Sequence, residues 1–347
     1  MYQIQAAYIE LSSSCNLKCR HCYNNSGVGS VNSIDQTNLI RIVDELAKLG
    51  CKNISLSGGE PLTYGTIIEI IKYISEYTDM RISIVTNATL ISGDFLNQVS
   101  QNISRGRIVF QVSLDGITAD QHEYLRGAGT FEPMMQGLSI LERHAFLYYF
   151  HVVIHKKNYR SWQSIIEYAI SKKHRNIDFT FIQSKGRAKN DSLIFDKKTY
   201  FDILSELNQL RNEYQSLIKI NIPVLSYGFC PLLEFDLTEP PKLSIRIDYL
   251  GNVFPCQIFT CESFILGNIY EDDINTSINR MKSFSARVED LRRKKCNECF
   301  LNAFCHGGCP GAELEDIEHD TYNCELRKFN FDTTIGKILE LRMKKGK

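Results

Sequence analysis

The feature that most constrains the fold of this chain is a regular alternation of strand-like and helix-like segments in its first half. Apolar runs rich in β-branched and aromatic residues alternate with segments whose apolar residues recur at helical spacing. Strands that alternate with helices form a parallel sheet with the helices packed outside it. The predicted strands are Ala7–Leu11, Asn53–Ser57, Arg81–Thr86, Ile108–Leu114, Leu147–Ile154 and Ile177–Ile182.

The helical segments between these strands set the size of the sheet. The first ends at Gly50, a typical helix stop, and later ones cover Ile67–Tyr77, Phe131–Arg143 and Ser161–Lys172. Six strand–helix units fall short of the eight that close a TIM barrel. We therefore expect an α/β fold, a partial (β/α)6 TIM-like barrel that is open on one side. The residues on one face of the first helix are Leu39, Ile42, Val43, Leu46 and Leu49.

Length and cysteine distribution divide the chain into parts. A single core stops growing near roughly 250–300 residues, and this chain has 347. Of its twelve cysteines, three lie at 15–22, one is Cys51, and eight lie between Cys230 and Cys324. We expect a barrel domain over residues 1–192, a helical bridge over 193–225, and a cysteine-rich domain over 226–347. Metal clusters would stabilise residues 226–347, where regular apolar periodicity fades.

Charge and hydropathy exclude some partners. Lysine plus arginine balance aspartate plus glutamate at 40 each, so no nucleic acid or membrane surface is expected to bind. No apolar run approaches the ~20 residues of a membrane helix, and the N-terminus shows no secretory signal. Clustered cysteines in a chain without such a signal bind metal more often than they form disulfides. We therefore expect a cytoplasmic protein.

Three cysteines carry the most specific chemical signal. Cys15, Cys19 and Cys22 have the spacing C-x3-C-x2-C and are followed by Tyr23. Three thiolates can hold three corners of a four-iron cube and leave the fourth iron open to a small molecule, whereas electron-carrying clusters normally have four cysteines. One strand–helix unit later comes Gly58-Gly59-Glu60-Pro61. Its glycines let the backbone approach a ligand closely, and Glu60 is placed to support a cationic amine.

Together, these motifs resemble the signature of the radical S-adenosylmethionine (SAM) superfamily. The resemblance implies that Cys15, Cys19 and Cys22 hold a SAM-binding 4Fe-4S cluster and that Tyr23 lies against the adenine. It also implies that the Gly-Gly-Glu-Pro motif contacts the methionyl amine. Other positions that match the family's cofactor contacts are Asn87, Ser113 and Asp115, and the segment from His122 to Gly127 resembles the one that follows in many members.

The second cysteine set resembles the SPASM extension of that superfamily, which holds two auxiliary 4Fe-4S clusters. By the family pattern, one cluster would be held by Cys296, Cys299, Cys305 and Cys324. The other would take Cys230, Cys256 and Cys309, with Cys261 available as a fourth ligand. The chain departs from the pattern in two places: twenty residues separate Cys230 from Gly251, and Cys261 falls after the Gly-x4-Cys spacing. The second cluster is thus either complete or keeps an open iron that could bind a substrate thiolate.

The resemblance also implies an activity. Members split SAM reductively to a 5′-deoxyadenosyl radical that takes a hydrogen atom from the substrate. Many modify ribosomally made peptides, so our leading hypothesis is maturation of a precursor peptide, such as a thioether cross-link or a related oxidation or epimerisation. An extended chain could enter through the gap in the barrel, and an external one-electron donor such as flavodoxin or ferredoxin would supply electrons.

Three alternatives stay open. Tetrapyrrole side-chain modification and sulfatase-type oxidation of cysteine or serine use the same radical chemistry. A non-enzymatic reading is an iron–sulfur electron carrier, or a scaffold in which the Cys-x2-Cys pairs bind structural zinc.

Other residues have simpler explanations. Cys51 is expected to be an inert core cysteine, and the basic run 292–295 a solvated helix face. His21 is expected to pack in the cysteine loop or to make a hydrogen bond behind the cluster. Tyr148, Tyr149 and His151 are expected to pack around the fifth strand.

Overall fold

The computed structural model describes residues 3–29, 32–189, 193, 195–222, 242–296 and 298. In its first half, strands and helices alternate as the sequence predicts. The strands are β1 (Gln3–Glu10), β2 (Asn53–Ser57), β3 (Arg81–Thr86), β4 (Ile108–Ser113), β5 (Leu147–Ile154) and β6 (Asn176–Phe181). The helices are α1 (Gln36–Lys48), α2 (Ile67–Tyr77), α3 (Gly93–Asn102), α4 (Ala119–Arg126), α5 (Phe131–Arg143) and α6 (Trp162–Ser171).

A single sheet organises the described residues. Strands β1 to β6 follow one another in parallel, as the expected partial barrel requires, and β7 (Lys219–Asn221) extends the sheet beyond β6. At the other edge, β8 (Lys242–Ile247) pairs in parallel with β1. The antiparallel strands β9 (Asn252–Phe254) and β10 (Gly267–Asn268) follow β8. Within the described ranges the sheet ends at β10 and β7 without closing, which confirms the open α/β barrel.

The sheet is wider than the six predicted strands because β8 joins it from the rear part of the chain. Leu243, Ile245 and Ile247 are buried in the same core as β1, so this short strand completes the packing at the edge of the barrel. Both predicted domain boundaries, near residues 192 and 225, fall at residues outside the described ranges, so the three-part division stays a prediction. The bridge segment contains α7 (Lys197–Glu213), and α8 (Ile274–Cys296) follows β10.

Local chemistry explains where the helices begin and end. The Asp35 side chain accepts a hydrogen bond from the Asn38 amide at 3.0 Å and caps α1. Gly50 adopts a φ of +78° just after this helix, as its predicted stop requires. The sequence analysis missed α3 and α4. In α3 only Leu96 and Val99 are buried, and α4 buries His122 and Arg126, so neither presents a continuous apolar face.

The two faces of the sheet have opposite character. Residues such as Ile54, Leu56 and Phe110 pack against the helices, while Tyr8 and Ser57 alternate with them on the opposite face. The ligand-binding side chains of such a barrel come from this polar face and from the loops at the carboxyl ends of the strands. Among the helices within the described ranges, none combines the length and the hydropathy that a membrane span needs.

Candidate functional site

The site is built around the front cysteine loop, residues 12–27, which follows β1. Bridges from Ser12 to Ser33 and from Ser14 to Gly27 fold this loop back on itself. Cys15 and Cys19 are buried, and Cys22 is half-buried. Burial raises the pKa of Cys15 to about 12 and also raises that of Cys19. A bound metal would reverse this, because coordination stabilises the thiolate.

The side chains of the three front cysteines lie close to one another. Cys15 interacts electrostatically with both Cys19 and Cys22, so the three side chains share one region. In the described part of the chain, however, no three histidine, cysteine or acidic side chains converge closely enough to hold one metal ion. Cluster ligands bind different iron atoms and need not converge on one point.

A loop after β6 clamps the cysteine loop from behind. The Arg187 side chain donates hydrogen bonds to the carbonyl of Cys19 at 2.7 Å and to that of Ser26 at 2.8 Å. The Arg187 amide donates to the carbonyl of Cys22 at 3.0 Å. Gly186 has a φ of +53°, and a Cβ there would lie 2.3 Å from the carbonyl oxygen of Cys22. The sequence analysis missed this clamp, because no local pattern connects residues 160 positions apart.

The Gly-Gly-Glu-Pro turn interlocks with the same loop through its backbone. The amide of Gly59 donates to the carbonyl of Ser12 at 2.7 Å, and the amide of Glu60 donates to that of Ser14 at 2.8 Å. A Cβ on Gly58 would lie 2.4 Å from the oxygen of Ser12, and one on Gly59 would lie 2.0 Å from the oxygen of Ser14. Both glycines are therefore required by close backbone contact, and this contact places the turn beside Cys15. Pro61 is buried and begins a short 3-10 turn.

Glu60 turns its carboxylate towards the end of β3. It accepts hydrogen bonds from the Thr86 hydroxyl at 2.7 Å and from the Asn87 amide at 2.8 Å. Burial raises the pKa of Glu60 to about 7, in spite of these donors. The Asn87 side chain donates to the Oδ1 of Asn16, next to Cys15, at 3.0 Å. Glu60 therefore holds the β3 end, and with it Asn87, against the cysteine loop.

Asp115 is bound by residues of its own chain on both carboxylate oxygens. It accepts hydrogen bonds from Arg126 Nε at 2.7 Å and from the Val153 amide at 2.8 Å. Burial alone would raise the pKa of Asp115, but the Arg126 guanidinium holds it well below its usual range. Ser113, at the end of β4, is buried and pairs in register with His151. Asp115 thus orients Arg126, which the sequence analysis noted within a motif but gave no role.

Arg126 brings a positive charge to the cysteine loop. Its guanidinium is buried and interacts electrostatically with Asp115 first, and then with Cys19 and Cys15. Within the described ranges, Nε is the only atom of the guanidinium with a hydrogen-bond partner. A cation beside thiol ligands favours their ionised form and attracts an anionic group. This donor set fits both a thiolate-bound cluster and the carboxylate of an amino acid.

Tyr23 and His21 lie on either side of Cys22. Tyr23 is 36% exposed, and its hydroxyl donates to Oε1 of the fully buried Glu10 at 2.8 Å. Burial lowers the pKa of His21 to about 3, so this ring is neutral near pH 7. Among the described residues, no hydrogen-bond partner lies near the buried Nδ1 of His21. Within the described ranges, His21 therefore packs in the cysteine loop, and its Nδ1 makes no hydrogen bond there.

Two of the rear cysteines lie on the loop that follows β9. Cys256 is half-buried and Cys261 is exposed. Cys296 is the last residue of α8. The remaining candidate ligands, Cys230, Cys299, Cys305, Cys309 and Cys324, lie outside the described residues. The ligand sets of both auxiliary clusters therefore stay predictions.

The residues with simpler explanations divide into two groups. Cys51 is buried and donates to the carbonyl of Asn53 at 3.3 Å, which confirms its place in the core.

On β5, Tyr148 packs on the helix side of the sheet, and its hydroxyl donates to Glu142. Tyr149 and His151 instead lie on the polar face of the sheet. Tyr149 donates to Gln111 at 3.0 Å, and His151 Nε2 lies 3.0 Å from the Thr180 hydroxyl.

Comparison with known proteins identifies two family regions. The model of the radical SAM superfamily matches residues 9–169, and that of the iron–sulfur cluster-binding SPASM domain matches residues 240–300. The two matches cover more than half of the chain. The first begins in β1, includes the front cysteine loop and the Gly-Gly-Glu-Pro turn, and ends in α6. The second contains β8 to β10 and the whole of α8.

Three curated relatives have different activities. An AdoMet-dependent heme synthase from Methanosarcina barkeri is 24% identical and covers 86% of this chain and 89% of its own length. The mycofactocin maturase MftC of Mycobacterium tuberculosis is 23% identical and covers 88% and 78%. A cysteine-type anaerobic sulfatase-maturating enzyme from Clostridium novyi is 26% identical and covers 94% of both.

Solved structures show the same fold. Native anSMEcpe with bound AdoMet and Cp18Cys peptide superposes with a TM-score of 0.73 at 19% identity, covering 97% of this chain and 98% of that one. Streptococcus suis SuiB bound to the precursor peptide SuiA gives a TM-score of 0.70 at 17% identity, covering 89% and 72%. At these identities the likeness concerns the fold alone.

Proposed function

Since the chain belongs to the radical SAM superfamily and carries a SPASM domain, we propose that it modifies a ribosomally made peptide by radical chemistry. Its cofactors are SAM, a SAM-binding 4Fe-4S cluster and auxiliary clusters of the SPASM domain. When bound, the front cluster and SAM supply a one-electron cleavage that generates an organic radical able to take a hydrogen atom. The chain's own residues bind, orient and shield these groups.

The observation that carries the proposal is the backbone interlock between the cysteine loop and the Gly58-Gly59 turn. It brings Cys15, Cys19 and Cys22 beside a turn whose side-chain-free backbone can be approached closely by a ligand. We assign the three cysteines to the front cluster, and Gly58 and Gly59 to the amino-acid end of SAM. Glu60 and Pro61 would fix this turn, while Asn87 would extend the polar wall beside Cys15.

The other SAM contacts follow from charge and exposure. Arg126, oriented by Asp115, is placed to hold the carboxylate of SAM, because its guanidinium interacts electrostatically with Cys19 and Cys15. Ser113 would add a hydroxyl from the end of β4. The partly exposed ring of Tyr23 would lie against the adenine. Asp115 then acts through Arg126 and not through direct contact.

A peptide substrate is supported by the relatives and by the shape of the sheet. Both peptide-bound structures hold a partner of this kind, and within the described ranges the sheet has an open edge along which an extended chain could bind. The polar face presents Tyr149, His151 and Thr180, whose side chains can exchange hydrogen bonds with a peptide. A precursor peptide is therefore the preferred substrate.

The reaction also needs an electron source and a reducing compartment. We propose an external one-electron donor such as flavodoxin or ferredoxin. The thiolate ligands of several clusters favour the cytoplasm, because oxidising compartments convert cysteines to disulfides.

Two second candidates come from the similarity to the heme synthase and the sulfatase-maturating enzyme. These relatives align over most of the chain at identities like that of the maturase, so identity does not separate the three activities. Absorbance of a co-purified porphyrin would favour tetrapyrrole chemistry. Conversion of a cysteine or serine to an aldehyde in a sulfatase peptide would favour the other.

Anaerobic incubation with reductant, SAM and a precursor peptide encoded nearby tests the proposal. We expect formation of 5′-deoxyadenosine and a mass change in the peptide. Cys19→Ala should abolish 5′-deoxyadenosine formation while the iron of the rear clusters remains. Production of 5′-deoxyadenosine without a change in any peptide would contradict the substrate class, and its absence from the reconstituted wild type would contradict the enzymatic proposal itself.

A further inference from the structure

A buried ion pair joins the first strand of the barrel to the strand contributed by the rear of the chain. Glu10 on β1 is fully buried, and Arg246 on β8 is 3% exposed. Arg246 Nε lies 2.8 Å from Glu10 Oε1, and its Nη2 lies 3.0 Å from Oε2. Removing two charges from water is costly, and apolar residues of similar volume are often as stable. Stability alone therefore gives a weak reason for this pair.

The pair is connected at both ends to loops of the candidate site. The Tyr23 hydroxyl donates to Glu10 Oε1 at 2.8 Å, and Tyr23 directly follows Cys22. Arg246 Nη1 donates to the carbonyl of Phe259 at 2.7 Å, in the loop between Cys256 and Cys261. Three hydrogen-bonded groups therefore run without interruption from the front cysteine loop to the loop of two rear cysteines.

This network fixes the carboxylate to which the Tyr23 hydroxyl donates. The hydroxyl donates to Glu10 Oε1 at 2.8 Å, and Glu10 is fully buried. Both oxygens of Glu10 are fixed by Arg246, and a fixed acceptor fixes the direction of the donor. The ring itself remains partly exposed at the site.

We propose that Arg246 and Glu10 are positioning residues that hold the Tyr23 ring in place for the adenine of SAM. The proposal rests on the proposed function, which assigns Tyr23 to the adenine. It adds that the rear strand β8 completes the SAM site through one guanidinium. Loss of the Arg246 guanidinium or of the Tyr23 hydroxyl should then weaken SAM binding through the same route.

Equilibrium dialysis of labelled SAM against the reconstituted full-length protein, with its clusters oxidised so that SAM is not cleaved, measures this directly. We expect Arg246→Met and Tyr23→Phe each to weaken SAM binding about tenfold, the loss typical of a hydrogen bond to a charged group. The double variant should bind no more weakly than Arg246→Met alone, because both changes act through Glu10. In turnover, KM for SAM should rise by the same factor while kcat at saturating SAM changes less than twofold.

Arg280→Met is the matched control. Arg280 also donates to a carboxylate, Asp272 at 2.5 Å, and to a backbone carbonyl, Leu266 at 2.9 Å. Its side chain is half exposed, and neither partner touches Tyr23. The control should bind SAM with wild-type affinity.

Wild-type affinity in Arg246→Met, or a double variant whose losses multiply, would overturn the positioning role. If Arg246→Met does not fold, Tyr23→Phe decides alone, because it keeps the buried pair; unchanged affinity there overturns the proposal. A wild-type protein that binds no SAM overturns the proposed function as well, whereas normal binding by the wild type and by both variants overturns only the positioning.

Discussion

The ends of β2 and β4 each present a buried carboxylate to the front cysteine loop, but they hold it in opposite ways. Glu60, after β2, is bound by neutral donors from Thr86 and Asn87, and burial raises its pKa to about 7. Asp115, after β4, is equally buried, yet Arg126 keeps its pKa well below the usual range. Neutral dipoles offset only part of the cost of burying a charge, whereas a paired cation reverses it.

This difference gives the ends of β2 and β4 separate roles at the site. The β2 end, Gly58 to Glu60, forms a nearly neutral wall of the site, and backbone contacts with the cysteine loop fix its position. At the β4 end, Asp115 and Arg126 form a charged arm, the ion pair whose guanidinium interacts with the thiols. An anionic part of SAM would be attracted to the second region, and the first region would shape the space around it.

The largest effect should come from breaking the charged arm. Arg126→Met leaves Asp115 buried without its cation, so we expect a loss of about 3–5 kcal/mol in the free energy of unfolding. Urea denaturation measures it. Asp115→Asn combined with Arg126→Met should recover part of this loss, because no uncompensated charge remains. A loss below about 1 kcal/mol in the single variant would mean that the pair does not control this region.

The second largest effect should come from disturbing the backbone of the neutral wall. A Cβ on Gly59 would meet the Ser14 carbonyl oxygen at 2.0 Å, so Gly59→Ala forces the turn away from the cysteine loop. We expect a loss of about 2–3 kcal/mol in stability and a strong loss of 5′-deoxyadenosine formation. Gly65→Ala is the control, since a Cβ there meets nothing within 4 Å and should change stability by less than about 0.5 kcal/mol. Equal behaviour of the two variants would contradict the interlock.

Sequence patterns predict the end of β2 better than the end of β4. The bounds of β2, β3 and β5 follow directly from their β-branched runs, and the glycine turn was recognised from its motif. Sequence patterns do not predict the partners of Asp115, because Arg126 lies on α4, a helix whose buried residues include two polar side chains. Contacts such as Arg187 to Cys19 connect distant segments, and no local periodicity encodes them.

The pairing of β8 with β1 shows the same limit. The place of β8 in the sheet depends on burying Leu243, Ile245 and Ile247 against the barrel core, which no pattern within the strand encodes. Arg246 reaches Glu10 only through that pairing. A strand's own residues predict its conformation, whereas its neighbour is chosen by the whole core.

The pH dependence of stability should separate the two carboxylates. A raised pKa means that Glu60 contributes stability below its ordinary pKa of 4.5 and loses it as pH rises through about 7. Between pH 5 and pH 8 the free energy of unfolding should therefore fall by about 2 kcal/mol on account of Glu60. Asp115 has the opposite sign: its stability is present above its ordinary pKa of 3.8 and is lost as pH falls below it.

Denaturation curves of the wild type and of two variants test this sign. Glu60→Gln should remove the loss between pH 5 and pH 8 and leave the acid side unchanged. Asp115→Asn should remove the acid-side loss instead. A difference in the free energy of unfolding between the wild type and Glu60→Gln that stays constant from pH 5 to pH 8 would show that the pKa of Glu60 is not raised.

The smallest effect should come from removing one neutral donor. Thr86→Val keeps the shape of the side chain but removes the hydroxyl that donates to Glu60 at 2.7 Å and accepts from the Ala88 amide at 2.9 Å. We expect a loss of about 1 kcal/mol at pH 5, where Glu60 is largely protonated, and a larger loss at pH 8, where it is ionised. The increase arises because the hydroxyl stabilises the charged form. A loss that does not grow with pH would show that Thr86 only fills space, and the neutral wall would then owe its precision to the backbone alone.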